Sequence, residues 1–232
     1  MFVPLSEYTK YIELISAAED EIKTKCTSCE NCLDFVYKSG NIPILLSASQ
    51  STCHLDKNIE EQTDIDRMYT GLLVYVLGRL TNIHIIYTNT KLGFNQDKID
   101  VSPFKSLVHR VIKEYKIKLF IDLQGGVQSN YDINLTTGGI GRPYLKQNQF
   151  IYKVLLDNLK TVNIDNIGEN SSIVEKNGII NTILQEDLDV SLLGINISPK
   201  YRQPNKNSLE MAKLARALAC FVNNIKYEIP VS

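Results

Sequence analysis

Residues 120–126, Phe-Ile-Asp-Leu-Gln-Gly-Gly, form an apolar run that ends abruptly in polar and small residues. Residues 43–52, Pro-Ile-Leu-Leu-Ser-Ala-Ser-Gln-Ser-Thr, follow the same pattern. A buried strand of an α/β sheet has this pattern, because its last side chains reach the rim of the sheet, where sites are built. We therefore predict two buried strands, with Gln50 and Gln124 at the rim.

The segments around these two strands alternate between helix and strand patterns. Residues 65–80 carry apolar side chains at i, i+3, i+4 and i+7 spacing, which predicts a helix, and strand 83–87 follows directly. Pro103 opens a second helix, which leads into strand 119–123. This β-α-β-α-β order predicts a three-layer α/β/α architecture with a mostly parallel mixed central sheet.

The remaining elements follow from the same reasoning. Predicted helices cover residues 6–24, 144–159, 179–188 and 207–224, and predicted strands cover residues 33–37, 42–48, 131–135 and 192–197. Two capping pairs are predicted, Thr63 with Asp66 and Asn207 with Glu210. The polar residues 161–178 are predicted to form a surface loop.

Bulk composition excludes several classes of function. The 232 residues suit a single domain, 1–232, with an N-terminal helix and a Cys-rich segment at 1–32. The net charge of −1 argues against nucleic acid as a partner, and no apolar stretch approaches the length of a membrane helix. The N-terminus lacks the pattern of a signal peptide, so a cytoplasmic location is expected.

A succession of short motifs runs from about residue 33 to residue 224. The motifs are Ser47-Ala-Ser-Gln50-Ser-Thr52, Glu61-Gln-Thr-Asp64, Gly93-Phe-Asn-Gln96, Asp122-Leu-Gln124-Gly125, Tyr131-Asp-Ile133 and Gly194-Ile-Asn196-Ile197 followed by Tyr201-Arg202-Gln203-Pro204. In their order they resemble those of the N-formylglutamate amidohydrolase family, whose fold is similar to that of zinc carboxypeptidases. The resemblance implies a phosphorylase/hydrolase-like, zinc-carboxypeptidase-like fold and a divergent member with substituted zinc ligands.

The resemblance also implies which positions would hold zinc. In the family, two histidines and an acid bind the metal, and here they correspond to Gln50, Gln124 and Glu61, with Glu60 as an adjacent candidate. An amide oxygen is a poor zinc ligand beside imidazole, and a catalytic zinc needs about three protein ligands. We therefore expect no zinc at Gln50, Glu61 and Gln124.

Two further family positions are also changed. The family's glutamate, a general base toward the zinc-bound water, corresponds to Asn196, and an amide cannot accept a proton at neutral pH. The arginine of an Asn-Arg pair that holds the substrate carboxylate corresponds to Gln96, whereas Arg202 is retained. On this interpretation no catalytic residue is assigned, and the position of the family's base, Asn196, is degenerate.

These substitutions predict a catalytically degenerate protein that binds a small acidic or amide-containing ligand, a peptide or a protein partner, without a cofactor. The predicted pocket residues are Gln50, Glu61, Gln96, Gln124, Asn196 and Arg202. Two interpretations without a functional role for these residues also remain. The glutamines are also compatible with ordinary polar residues at strand ends, and Glu61 with a solvated acid in the first turn of a helix.

An active amidohydrolase with altered metal ligands is the first alternative. It would cleave a non-peptide C–N bond, such as that of a formyl group, with Glu61, His54 and Asp122 in the chemistry and zinc as its cofactor. Of the other histidines, His84 lies within a strand pattern and is predicted to be structural. His109 lies off the apolar stripe of its helix and is predicted to be solvated.

A cysteine cluster supports a second alternative, a metal-binding or redox-responsive module. Cys26, Cys29 and Cys32 have the two-residue gaps that are common in metal sites. A closed tetrahedral site needs a fourth ligand, for which Cys53 and His54 are candidates. Three thiols at a helix end would have the same spacing, so both interpretations stay open.

Overall fold

Seven strands form one mixed sheet in the order β1-β3-β2-β4-β7-β5-β6. The computed structural model describes residues 4–27, 35–49, 69–88, 103–125, 130–170, 179–186 and 188–229. The strands are β1 Phe35–Lys38, β2 Ile42–Ala48, β3 Ile83–Thr88, β4 Leu119–Gly125, β5 Ile133–Thr136, β6 Ile167–Glu169 and β7 Ser191–Ile197. The helices are α1 Ser6–Thr27, α2 Thr70–Thr81, α3 Pro103–Glu114, α4 Phe150–Thr161, α5 Ile179–Gln185 and α6 Pro204–Ile225.

The centre of the sheet is parallel. Strand β2 lies between β3 and β4 and is parallel to both, and β4 is parallel to β7 on its other side. The edges are mixed, because β1 is antiparallel to β3, β5 is antiparallel to β7, and β6 is parallel to β5. The prediction of a mostly parallel mixed sheet is therefore confirmed. The turn before β2 joins β1 to β2, which are not neighbours in the sheet.

Helices cover both faces of the sheet, which confirms the three-layer α/β/α prediction. Helices α1, α2, α4 and α6 bury their apolar stripes in one large core cluster with the first face. Helices α3 and α5 bury theirs against the second face, where Leu45, Phe120 and Leu192 belong to the second core cluster. We call this the α3/α5 face. No described helix has the length and apolarity needed to cross a membrane.

Helix α2 packs against the sheet and leads directly into strand β3. Its residues Leu72–Leu77 are buried throughout, which is more than the predicted one-sided stripe, because the helix is packed between the sheet and helices α1 and α6. The helix ends at Asn82, whose left-handed backbone (φ 57°) lets its N–H donate to the Gly78 carbonyl. Strand β3 starts at the next residue. The predicted cap at Thr63 and Asp66 lies outside the described residues.

Three predicted segments differ from the structure. The helix expected at 144–159 begins at Phe150, because Pro143–Leu145 forms a separate 3-10 turn and Lys146 has a positive φ of 51°. Residues 161–178 are not wholly a loop, since they contain β6, which pairs with β5. The last helix begins at Pro204, and the non-helical backbone of Asn207 marks a break in it at the predicted cap.

Candidate functional site

Polar side chains replace the apolar lining of the α3/α5 face toward the carboxyl ends of the central strands. Two rows of paired residues cross the sheet there. Ser47 of β2 pairs with Asp122 of β4, which pairs with Gly194 of β7. One step further along the strands, Gln124 pairs with Asn196, which pairs in turn with Asn134 of β5. Since paired residues project from the same face of a sheet, these polar groups lie side by side.

Asp122 is fully buried and is the charged group at the centre of this arrangement. Ser47 Oγ donates a short hydrogen bond to Asp122 Oδ1, and Gln124 Nε2 donates to Asp122 Oδ2 at 2.8 Å. Both carboxylate oxygens thus accept hydrogen bonds, which offsets part of the cost of burying the charge. The Gln124 carboxamide is thereby oriented with its NH₂ group toward Asp122 and its Oε1 atom away from it.

Asn196 and Gln124 form the accessible part of the site. Both side chains are half-buried, whereas Asn134 and Asp122 are buried. Within the described part of the chain, the carboxamide of Asn196 has no hydrogen-bond partner, although it can donate and accept. Sequence reasoning identified Gln124 and Asn196 separately, and the structure brings them together as direct neighbours on β4 and β7.

Arg202 lies in the interior of the protein. It follows the 3-10 turn Pro199–Tyr201 after β7, has no exposed surface, and donates from Nε to the Ile197 carbonyl at 3.0 Å. The guanidinium therefore anchors the chain where it leaves β7. The sequence indicated that this arginine is retained at the site, but it gave no sign that the side chain would be buried.

A second group of ionisable side chains at the same strand ends was missed by sequence reasoning. Tyr201 Oη donates to Asp132 Oδ2 at 3.1 Å, and Lys200 Nζ lies 3.6 Å from the same oxygen. Burial raises the pKa of Tyr201, while the hydrogen bond with Tyr201 raises the pKa of Lys200. The sequence places Asp132 at the start of a strand pattern, but the antiparallel pairing that brings this strand beside the end of β7 is known only from the structure.

Several sequence-predicted residues fall outside the described part of the chain. They are Gln50, Glu61 and Gln96, together with Glu60, Cys53 and His54. Of the cysteine cluster, Cys29 and Cys32 also lie outside it, and Cys26 is described only as part of the backbone of α1. The pocket and the cysteine site that these residues would form therefore stay predictions.

The described residues at the strand ends do not fit a zinc ion. The ligand set of a catalytic zinc comprises imidazole, thiolate and carboxylate groups, whereas here the buried Asp122 carboxylate is bonded to Ser47 and Gln124, and the neighbouring rim positions hold the carboxamides of Gln124 and Asn196. Residues 4–22, 35–49, 69–88, 103–125, 130–170, 179–186 and 188–229 contain no group of three His, Cys, Asp or Glu side chains that could hold a metal.

The two described histidines lie in structural surroundings. His84 is buried in β3, where its Nδ1 atom lies 3.0 Å from Tyr37 Oη and its ring is stacked with that of Tyr37. Burial lowers the pKa of His84, which favours the neutral ring and agrees with the prediction of a structural role. His109 on α3 is partly exposed and contacts Glu186, so it has a protein partner as well as solvent.

Comparison with known proteins identifies relatives of the fold. No protein-family model matches the chain, and no curated protein matches it. Among solved structures, the gene product Atu2144 from Agrobacterium tumefaciens superposes with a TM-score of 0.60 at 11% identity, covering 85% of this chain and 96% of that one.

Two further solved structures carry functional names. The N-formylglutamate amidohydrolase from Ralstonia eutropha JMP134 has a TM-score of 0.54 at 10% identity, covering 85% of this chain and 99% of that one. The bacteriophage poly-gamma-glutamate hydrolase has a TM-score of 0.50 at 14% identity, covering 90% and 97%. The chain therefore has the α/β fold that these hydrolases share, as the sequence motifs predicted.

Proposed function

We propose that the protein binds a small ligand, an amide-containing or acidic molecule or a peptide, at the carboxyl ends of its central strands and does so without zinc. The observation that carries the proposal is the hydrogen bond from Gln124 to Asp122. This hydrogen bond engages the side chain of Gln124, the position at which the resemblance implies a histidine ligand. The group at this position therefore supports a buried carboxylate instead of binding a metal.

The chemistry of the described side chains beside Gln124 supports the same proposal. Hydrolysis by the usual route needs a metal-bound water and a general base beside it. Asn196 has no basic form at neutral pH, and both oxygens of Asp122 already accept hydrogen bonds from Ser47 and Gln124. Gln124 and Asn196 can therefore hold a polar ligand, whereas neither Asp122 nor Asn196 is placed to take a proton from water.

The proposal is tested by metal analysis combined with an assay for formate release. The purified protein is expected to contain far less than one zinc per chain and to release no formate from N-formyl amino acids. A Cys26→Ser/Cys29→Ser/Cys32→Ser variant separates any metal held by the cysteine cluster from metal at the strand ends.

The outcomes distinguish the candidate functions. One zinc per chain that survives the cysteine substitutions, together with formate release that Glu61→Ala abolishes, would replace the proposal by an active amidohydrolase with altered ligands. Zinc that is lost with the three cysteines would identify the cysteine cluster as a metal site and leave the proposal for the strand ends intact.

A further inference from the structure

We infer that the neighbouring carboxamides of Gln124 and Asn196 bind a neutral amide group, either a primary amide or a peptide unit, in preference to a carboxylate. The inference rests on the proposed function and narrows its ligand class. It depends on three features of the described residues: the pairing of the two amides, the orientation of Gln124, and the arrangement of the charged groups around them.

The pairing places the two amides at the spacing of adjacent strands. Gln124 and Asn196 are direct partners in the parallel pair β4–β7, so their side chains leave the same face about 5 Å apart. Both are half-buried, and they lie beyond the apolar part of that face, which ends at Phe120 and Leu192. A ligand at this rim can therefore contact both side chains at once.

The hydrogen bond to Asp122 fixes the orientation of the Gln124 carboxamide. Asp122 offers Gln124 only acceptor oxygens, so the carboxamide turns its NH₂ group toward Asp122, at 2.8 Å. Its Oε1 atom has no partner among the described residues and remains as an acceptor. Because the fixing group is a fully buried carboxylate, a rotation of the amide would bring two acceptors together at a buried site.

A ligand that bonds to both side chains must therefore offer a donor to Gln124, whereas Asn196 can either donate to it or accept from it. An amide group does so, because its N–H can donate to Gln124 Oε1 while its carbonyl accepts from Asn196 Nδ2. A carboxylate has no proton to donate. Its oxygen would therefore face Gln124 Oε1, which is also an acceptor, and Oε1 would stay without a hydrogen bond.

The surrounding charges agree with a neutral ligand. Asp122 lies beside Gln124 on the same strand, and its carboxyl group offers no positive charge to a ligand carboxylate. The arginine that follows β7, Arg202, is fully buried and bonded to the Ile197 carbonyl, so it offers no exposed cation in compensation. Lys200 is exposed, but it is paired with Asp132.

The test compares two probes of nearly equal shape, propanamide and propanoate, which are the side-chain analogues of glutamine and glutamate, by titration followed by NMR or calorimetry. The wild-type protein is expected to bind propanamide roughly tenfold more tightly, as one unpaired hydrogen-bonding group would cause. Asn196→Asp removes the donor and is expected to weaken binding of propanamide by a similar factor. Gln147→Glu, the same chemical change at an exposed position near the opposite ends of the strands, should change neither affinity.

Equal or tighter binding of propanoate by the wild-type protein would overturn the inference, as would an Asn196→Asp variant with unchanged preference. The wild-type comparison needs no variant, so the inference stays falsifiable even if Asn196→Asp fails to fold. If neither probe binds, the two amides do not form a ligand site and the inference fails, whereas the zinc analysis still decides the proposed function. Stoichiometric zinc with formate release would overturn the proposed function independently of the probe preference.

Discussion

Gln124 donates a hydrogen bond from Nε2 to Oδ2 of the fully buried Asp122, two residues earlier on the same strand. Alternate residues of a strand project from one face, so the contact follows from the strand geometry alone. This hydrogen bond links Gln124, which stands at a position that the family motifs place among the zinc ligands, to a buried carboxylate in the interior of the fold.

Removal of the Asp122 carboxylate is expected to destabilise the protein. Asp122→Ala leaves the Ser47 hydroxyl and the Gln124 amide without their acceptor, at a cost of about 2–4 kcal/mol in the free energy of unfolding. Urea denaturation measures this cost. Asp189→Ala serves as the control and should change little, because the Asp189 side chain is 89% exposed and its contacts with Lys118 and Lys146 are screened by solvent. Equal effects of the two substitutions would contradict the structural role of Asp122.

The Arg142–Glu169 pair is expected to brace the ends of β5 and β6. Arg142 donates from Nη2 to Glu169 Oε2 at 3.0 Å, its Nε atom lies 2.8 Å from Oε1 in an ion-pair contact, and Thr137 donates to Oε1 at 2.7 Å. Glu169→Ala should lower the free energy of unfolding by about 1–2 kcal/mol, since the pair is partly exposed. The control is Glu13→Ala on the exposed side of α1, for which no significant change is expected.

The same pair predicts a pH dependence. Burial alone would raise the pKa of Glu169, but the hydrogen bonds from Thr137 and Arg142 outweigh it and lower the pKa. Stability from a depressed carboxyl pKa is present above the unfolded value, near 4.3, and is lost as the pH falls through the folded value. Unfolding free energies measured at pH 7 and pH 3.5 should fall less in Glu169→Ala than in the wild type. An unchanged difference would contradict the prediction.

His84 is expected to affect stability in a higher pH range. Because burial lowers its pKa, the unfolded chain binds a proton below about pH 6.5 before the folded protein does. The wild-type protein should therefore lose stability as the pH falls from 7.5 to 5.5, and His84→Gln should show a smaller loss. A slope in His84→Gln equal to that of the wild type would contradict this prediction. A steeper slope in His84→Gln would refute the assignment.

Gly40 is expected to tolerate no side chain. A Cβ atom there would lie 2.2 Å from the Ile83 carbonyl carbon and 2.4 Å from the Asn82 carbonyl oxygen, both backbone atoms that cannot move aside. Gly40→Ala should cost about 3 kcal/mol or prevent folding, as judged by thermal unfolding and soluble yield. The adjacent exposed residue supplies the control, Ser39→Ala, which should have no effect.

The elements that sequence reasoning predicted are those whose apolar patterns reflect burial. Strand β4 is buried along Leu119–Leu123, and helix α3 buries Phe104, Val108, Val111 and Ile112 from its predicted stripe. Strand β6 was missed because it has three residues and only its central glycine is buried, so it carries no apolar signal. The start of α4 was misplaced because apolar residues of the preceding 3-10 turn extend the pattern toward Pro143.

The site was predictable in position but not in its bonding. The end of an apolar strand pattern indicates where Gln124 and Asn196 lie, since it marks the rim of the sheet. The register that pairs these two residues depends on long-range packing, and so does the burial of Arg202. Neither has a local signature in the chain.

The most direct test of the zinc-free account is the thermal stability of the Cys26→Ser/Cys29→Ser/Cys32→Ser variant with and without zinc and after treatment with a chelator. A metal that binds the native state raises Tm by mass action, and its removal lowers Tm. The account predicts the same Tm in all three conditions. A Tm that rises with zinc and falls with the chelator, and that no longer responds in Glu61→Ala, would contradict it.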